Sequence, residues 1–363
     1  MKRILFSFLI LFYLLFPHTS YALEVQITRP EQMEADVVKI EEQKQQNPDG
    51  KELILQKIEV LVTNGRLDDQ TIVIEQTLAG DPRHFSVGDK VIVSVNRDLN
   101  GAETYYIADY IRRTPLYFLF GLFLLLVAFI AGKRGIFSMG GMVISFAVIF
   151  FFLLPAILNG VNPVLAAILS SIVIIPSTFF SSHGFNRKTV SAVIGTLISL
   201  VITGILAVLF VEAAKISGFA SEEAAFVKAA QGDLINIKGL LLAGIIIGVL
   251  GVLDDITVAQ ANIVYQLKKA SAKLDINELY KRAMDVGKDH IASMVNTLIL
   301  VYTGAALPLL LLFINNSAPF SEVINYEVVA EEIVRTLVAS IGLVLAVPIT
   351  TYITAWMISQ KTD

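Results

Sequence analysis

Seven segments in the last two thirds of this chain are each long and apolar enough to cross a lipid bilayer, which takes about 20 mostly apolar residues per helix. We place them at 116–132, 136–158, 162–180, 189–212, 237–257, 291–314 and 333–357. The chain as a whole is 55% hydrophobic and only 17% charged, a balance that soluble domains rarely show. The sequence therefore predicts a membrane all-α region over residues 114–363, built as a bundle of about seven transmembrane helices.

The first 22 residues have the three parts of a secretory signal peptide. Met1-Lys2-Arg3 is a positive start, residues 4–16 are apolar, and Ser20-Tyr21-Ala22 is a small-x-small cleavage site. We expect cleavage after Ala22, and the alternative is an uncleaved anchor helix. In either case the chain from residue 23 onward emerges on the outer side of the membrane.

Residues 23–113 are acidic overall and predict an exported β-domain. Short stretches with partial alternation of apolar and polar residues are separated by turn signals such as Asn64-Gly65 and Asn100-Gly101. The predicted strands are Ile58–Val62, Thr71–Glu75, the turn and strand over 85–95, Glu103–Tyr110, and a fifth from Val25–Ile27 and Ala35–Ile40. Short strands at this spacing are typical of a small barrel, OB-like at best, or of a sandwich.

The loop charges predict the orientation of the membrane region. With residue 115 outside, Lys133-Arg134, Arg187-Lys188, the 258–290 loop and the C-terminal tail fall inside, and they hold most of the basic residues of the loops. Positive residues favour the cytoplasmic side. Arg112-Arg113 oppose this orientation weakly, and the signal peptide overrides them. We therefore expect a multi-pass protein of the bacterial cytoplasmic membrane, with its N-terminal domain outside and its C-terminus inside.

Asp254 and Asp255 follow directly after the apolar run 237–253. Placing a carboxylate in a membrane helix costs free energy, up to roughly 2.5–3.5 kcal/mol at the helix centre. Gly244, Gly248, Gly251 and Asp255 follow one another at helical spacing and share one face, whereas Asp254 is rotated by about 100°. A glycine face lets a neighbouring helix approach closely. This pattern favours Asp255, pointing at that neighbour, as the working carboxylate.

The sixth predicted segment has polar residues at its inner end, the same side as Asp255, that could share a binding site with it. Asp289, Ser293 and Asn296 share one face, and Thr297 lies on the adjacent strip. One hypothesis is an ion or small-solute site in which Asp255 supplies charge and Ser293, Asn296 and Thr297 supply neutral oxygen ligands, as hard cations prefer, although the pattern selects no particular metal. A protonated carboxylate that relays protons is a variant of it. The alternative is structural: the two aspartates lie at headgroup level and the hydroxyls bond across helices.

Several chemistries are excluded by absent motifs. The chain has no cysteine, its four histidines have no HExxH spacing, and it has no Walker motif, nucleophile elbow or GxGxxG after a strand. No basic patch with interleaved aromatics points to nucleic acid. We therefore expect neither an enzyme nor a cofactor.

Four motifs carry a resemblance to a known family. They are His183-Gly-Phe-Asn-Arg-Lys-Thr189, Gly251-Val-Leu-Asp-Asp-Ile-Thr257, Gly287-Lys-Asp-His-Ile291 with Val295-Asn-Thr297, and Glu331-Glu-Ile-Val-Arg-Thr336 leading to Ala346-Val-Pro-Ile-Thr350. With these motifs the chain resembles the YibE/F-like family of bacterial multi-pass membrane proteins over most of 116–357. The resemblance implies an integral membrane protein of the cell envelope and no particular activity.

Two functions stay open from the sequence. The first is a transporter or permease for an ion or small solute, with the outer β-domain as a gate, a receptor or a dock for partners. The second is an envelope scaffold or membrane-complex subunit that holds a protein partner through the β-domain, or that forms a homo-oligomer. Both place the protein in a lipid bilayer.

Overall fold

The computed structural model describes residues 31–46, 52–77, 84–98, 101–315 and 319–360. These residues belong to two compact units, one within Ala22–Leu126 and the other within Val127–Asp363. The predicted signal peptide, residues 1–22, and the predicted strand Val25–Ile27 lie outside the described residues.

The first unit contains a five-stranded antiparallel sheet in the order β3-β2-β1-β4-β5. Its strands are β1 (Gln32–Gln46), β2 (Glu52–Asn64), β3 (Thr71–Thr77), β4 (Lys90–Arg97) and β5 (Glu103–Tyr110). The prediction of a small all-β region before the membrane helices is confirmed at this level. The OB-like barrel and the sandwich are finer assignments, and the strand order does not decide between them.

Alternating residues of the central strands build the core of this sheet. Ile58, Val60 and Val62 on β2 are fully buried, as are Val91 and Val93 on β4. Successive side chains of a strand point to opposite faces, so the alternating valines and isoleucines all reach one apolar core.

An ion network at one end of the sheet joins the residue before β1, the turn between β2 and β3, the end of β4 and the start of β5. Arg66 and Arg97 each bridge the carboxylates of Glu31 and Glu103, with contacts of 2.8 and 2.9 Å to Glu31. The Tyr105 hydroxyl also donates to Glu103 at 2.7 Å. Hydrogen bonds from Tyr105, Arg66 and Arg97 lower the pKa of Glu103 to about 2. That carboxylate therefore stays ionised through neutral and mildly acidic pH.

Helices make up the rest of the described chain. They are α1 (Arg113–Leu158, with a π-helical turn at Ile149–Leu153), α2 (Pro163–His183), α3 (Arg187–Ala213), α4 (Glu222–Gln231), α5 (Ile237–Ala270), α6 (Ile276–Ala305), α7 (Leu307–Asn315), α8 (Phe320–Val323) and α9 (Glu327–Ser359); a 3-10 turn, Gly232–Leu234, precedes α5.

Within the described residues, five helices are long and apolar enough to cross a membrane, namely α1, α2, α3, α5 and α9, and α6 with α7 adds a sixth if that bent pair is one span. The difference from seven arises in α1, which holds both of the first two predicted segments in one stretch of 46 residues. At about 1.5 Å per residue this stretch measures about 70 Å, more than twice the bilayer core. Gly132, with φ of 57° and ψ of −139°, breaks the helix where the sequence placed the boundary.

The sixth predicted span, 291–314, begins inside a longer helix, α6, so its predicted start at residue 291 was wrong. The Asp275 carboxylate caps the start of α6 by accepting a hydrogen bond from the Glu278 amide at 2.7 Å. The span is bent as well, because α6 and α7 meet at an angle of 67° just before Pro308, a residue that interrupts helices.

Helices α3 and α9 approach each other through reciprocal glycine and threonine contacts. A Cβ added to Gly342 of α9 would collide with Thr203 of α3, and a Cβ added to Gly195 of α3 would collide with Thr350 of α9. Thr203 and Thr350 are both buried. Small and hydroxylic residues thus form a close helix pair of the kind that such residues permit in membranes.

Buried polar contacts tie α5 to this pair. Thr196 of α3 and Thr257 of α5 share a hydrogen bond of 2.7 Å. The Gln260 amide of α5 donates to Thr351 of α9 at 2.7 Å and to the Ala283 carbonyl of α6 at 3.0 Å. These side chains hold α3, α5, α6 and α9 together as one frame.

Gly342→Ala tests this frame, with Gly244→Ala as its control. The added methyl at residue 342 meets Thr203 and should lower the free energy of unfolding by about 1–3 kcal/mol, as overpacking does. No atom lies within 4 Å of a Cβ at residue 244, so alanine there should be neutral or stabilising. Thermal unfolding of the purified variants in detergent measures both. Equal stability of the two variants would contradict the close α3–α9 contact.

Candidate functional site

The two aspartates of α5 line a cavity of about 910 Å³ in the helical unit. Asp254 is partly buried and Asp255 is exposed. The other walls come from the second half of α1, the last turns of α2 and the first turn of α3. The carboxylates therefore face a space that is large enough for a small molecule.

Polar groups line this cavity on each of its other walls. Ser145 of α1 and Thr178 of α2 contribute hydroxyls, and Arg134, His183 and Lys188 contribute basic groups. Ser145 and Thr178 donate to carbonyls one turn back in their own helices, which fixes their rotamers. The cavity thus contains both acidic and basic groups beside neutral donors and acceptors.

Lys188 has a defined position in this wall. Its ammonium donates to the Asn262 side chain of α5 at 3.1 Å and lies over the ring of Tyr265, 5.8 Å from its centroid. Asn262 and Tyr265 follow Asp255 by seven and ten residues, which places all three on the same side of α5. The amide and the ring hold the ammonium against α5.

The basic groups lie nearer one end of the bundle than the carboxylates. Asn262, the partner of Lys188, is seven residues beyond Asp255, a rise of about 10 Å along α5. Arg134 is near the break in α1, and His183 is the last residue of α2. Arg187, next to Lys188, donates to the Gln360 carbonyl near the end of α9 at 2.9 Å. The acidic pair is thus the deeper part of the cavity and the basic residues are the shallower part.

Within the part of the chain that the structure describes, no salt bridge joins the acidic and basic groups of the cavity. Asp254 and Asp255 are adjacent along α5, and Arg134 and Lys188 line the same cavity from α1 and α3. Each set therefore concentrates charge of one sign.

No group of three or more His, Asp or Glu side chains among the described residues is placed to hold a metal ion together. A cation in the cavity would take its charged ligands from Asp254 and Asp255 alone. Hydroxyl or carbonyl oxygens would have to complete its coordination.

The predicted role of the glycine face of α5 was wrong. Gly244, Gly248 and Gly251 are exposed, and the nearest atom to a Cβ at any of them is the Tyr302 hydroxyl, 3.8 Å from that of Gly248. Among the described residues no neighbouring helix packs there, because α5 meets its neighbours through its isoleucine and leucine faces. The glycines instead leave this face of α5 without side chains.

The candidate partners on α6 lie apart from the cavity. Asp289, Ser293, Asn296 and Thr297 are exposed and do not line it. Helix α6 packs on the frame through Gly287 and Leu298, and the polar strip is on other faces. Of the six predicted site residues, the structure brings only Asp254 and Asp255 together.

Sequence reasoning missed Arg134, His183, Lys188, Asn262 and Tyr265 as members of one site. The predicted span stopped at residue 257, where the apolar run ends, whereas α5 continues to Ala270. Extending the face of Asp255 by two turns would have included Asn262. His183 and Lys188 stand in the first family motif and the aspartates in the second, so the two motifs meet at the cavity.

Comparison with known proteins gives one match. The model of the family described as YibE/F-like protein matches residues 119–360, which is most of the chain and all of the cavity wall. Neither the comparison with curated proteins nor the comparison with solved structures gives a match.

A pair of cysteine variants tests whether the cavity is open to solutes. The chain has no native cysteine, so each variant carries a single thiol. Ala259 lines the cavity, whereas Ala261, two residues on, is fully buried. Ala259→Cys should react rapidly with a small methanethiosulfonate reagent and Ala261→Cys slowly, as mass spectrometry of the intact protein would show. A rate for Ala259→Cys as slow as that for Ala261→Cys would mean that solutes do not enter the cavity.

Proposed function

The chain belongs to the YibE/F-like family, and on that premise we propose that it is a membrane permease that binds an ion or small solute in the cavity beside Asp254 and Asp255. The protein acts without chemical conversion of its cargo. The observation that supports this proposal is a polar cavity set among helices apolar enough to cross a membrane. Its charged groups have no ion-pair partner among the residues that the structure describes.

The size and chemistry of the cavity suit a binding site. Sites for small molecules usually occupy about 300–1,000 Å³, and the volume here falls in that range. Charged side chains inside membrane helices cost free energy, and they usually face a water-filled cavity and mark an ion or substrate pathway. The position of Asp254 and Asp255 beside the cavity fits this pattern.

The proposed orientation puts the basic end of the cavity in the cytoplasm. Arg134, Lys188 and the end of α9 near Gln360 lie at the same end of the bundle, as the contacts of Lys188 and Arg187 indicate. Basic residues favour the cytoplasmic side, so this end faces inward and the C-terminus is inside. The β-domain then lies outside, in the bacterial cell envelope.

A second candidate function is an envelope scaffold that acts through the exported β-domain. Its support is the sheet's own apolar core, which includes Met33, Ile58 and Val93 and gives the domain a basis for folding by itself. A partner protein or a second copy of the chain would then bind this domain. A scaffold would lose function when residues 23–113 are removed and would be indifferent to Asp255→Asn.

The proposed permease predicts stabilisation by its solute that depends on Asp255. A solute that binds only the native protein raises the free energy of unfolding by about 2.7 kcal/mol at 100-fold excess over its Kd. Screening the purified protein in detergent against inorganic ions and small metabolites should find such a shift. Asp255→Asn should abolish it, because the variant removes a charge from the cavity.

Asp289→Asn is the matched control, since Asp289 is an exposed aspartate on α6 that does not line the cavity. It should leave the shift unchanged. A shift that survives Asp255→Asn, or no shift with any solute, would contradict solute binding at this site and favour the scaffold.

A further inference from the structure

The cavity holds opposite charges at two separate levels. Asp254 and Asp255 form the deeper level, and Arg134 and Lys188 form the shallower one, beside the His183 imidazole. The rise from Asp255 to Asn262, which binds Lys188, is about 10 Å. This spacing keeps the carboxylates from neutralising the ammonium directly.

A ligand with one charge would satisfy only one of these levels. An inorganic cation beside the aspartates would leave the basic groups repelling one another, and an anion beside Lys188 would leave the aspartates unpaired. Unpaired charge costs more at the half-buried Asp254 and Lys188 than it does in open water, so the ligand that suits the cavity best carries both charges.

Resting on the proposed function, we infer that the cavity binds a small zwitterion whose cationic group meets Asp254 and Asp255 and whose anionic group meets Lys188 and Arg134. The separation of the two levels selects a molecule with its charges several carbons apart, such as an ω-amino acid or a short peptide. Charge-assisted hydrogen bonds at both ends give the orientation.

Asn262 is a positioning residue in this arrangement. Its side-chain oxygen accepts from the Lys188 ammonium at 3.1 Å, and the Tyr265 ring covers the same ammonium. A neutral amide and a ring hold the lysine without cancelling its charge. The ammonium thus stays free to bind an anionic group from the cavity side.

A series of ω-amino acids of increasing length tests the distance between the acidic and the basic level of the cavity. Binding of glycine, γ-aminobutyrate and ε-aminocaproate to the purified full-length protein can be followed by thermal stabilisation and equilibrium dialysis. Affinity should rise along the series as the chain becomes long enough to reach both levels. Hexylamine and caproate, each with only one of the two charges, should bind about tenfold or more weakly than ε-aminocaproate, since each loses one charged contact.

Variants at the two levels separate the contributions that the amino end and the carboxylate end of the ligand make to its affinity. Lys188→Met should weaken ε-aminocaproate about tenfold or more and leave hexylamine unchanged, whereas Asp255→Asn should weaken both. Lys188→Arg, which keeps the charge, should retain most of the affinity. Lys269→Met, an exposed lysine of α5 outside the cavity, is the matched control and should bind like the wild type.

The outcomes distinguish this inference from the proposed function. If hexylamine, caproate or an inorganic ion binds as tightly as ε-aminocaproate, and Asp255→Asn abolishes that binding, the zwitterion is wrong while the permease stands. Binding of ε-aminocaproate that is indifferent to Lys188→Met would also overturn the inference. If no probe, ion or metabolite binds the wild-type protein, both proposals fail.

Discussion

The helical unit depends on the close approach of α3 and α9. In a bilayer the surrounding lipid is as apolar as leucine, so hydrophobicity alone does not draw helices together, and close packing and hydrogen bonds must do so. The reciprocal contacts of Gly195 with Thr350 and of Gly342 with Thr203 provide that packing. Helix α5 joins the pair through Thr257 and polar bonds, and the cavity wall is built on it.

This frame explains why α5 has two different faces. Its buried face carries isoleucine, leucine and Thr257 against the frame, while its open face carries glycines followed by Asp255 and Asn262. The frame fixes the helix, and in the proposed permease the open face with Asp255 meets the solute. Under that proposal, stability and binding lie on opposite sides of one helix.

The sequence predicted the elements better than it predicted the site. Apolar length located the membrane helices, and alternation located the strands, because both patterns are local. The site could not be found in this way because Lys188 and Arg134 reach it from other helices, and only packing brings them to Asp255. The glycines of α5 predicted a close helix contact and are exposed instead, because spacing along one helix does not show whether a neighbour packs on that face. For the same reason Asn296 was grouped with Asp255, although its face of α6 is turned elsewhere.

The central claim is that a solute occupies the cavity beside Asp255, and protection of a cavity thiol tests it most directly. The rate at which a methanethiosulfonate reagent modifies Ala259→Cys would be measured with and without a panel of ions, metabolites and ω-amino acids. The account predicts that at least one solute slows this reaction, and that adding Asp255→Asn removes the protection. A rate that no solute changes, or protection that persists in the double variant, would contradict it.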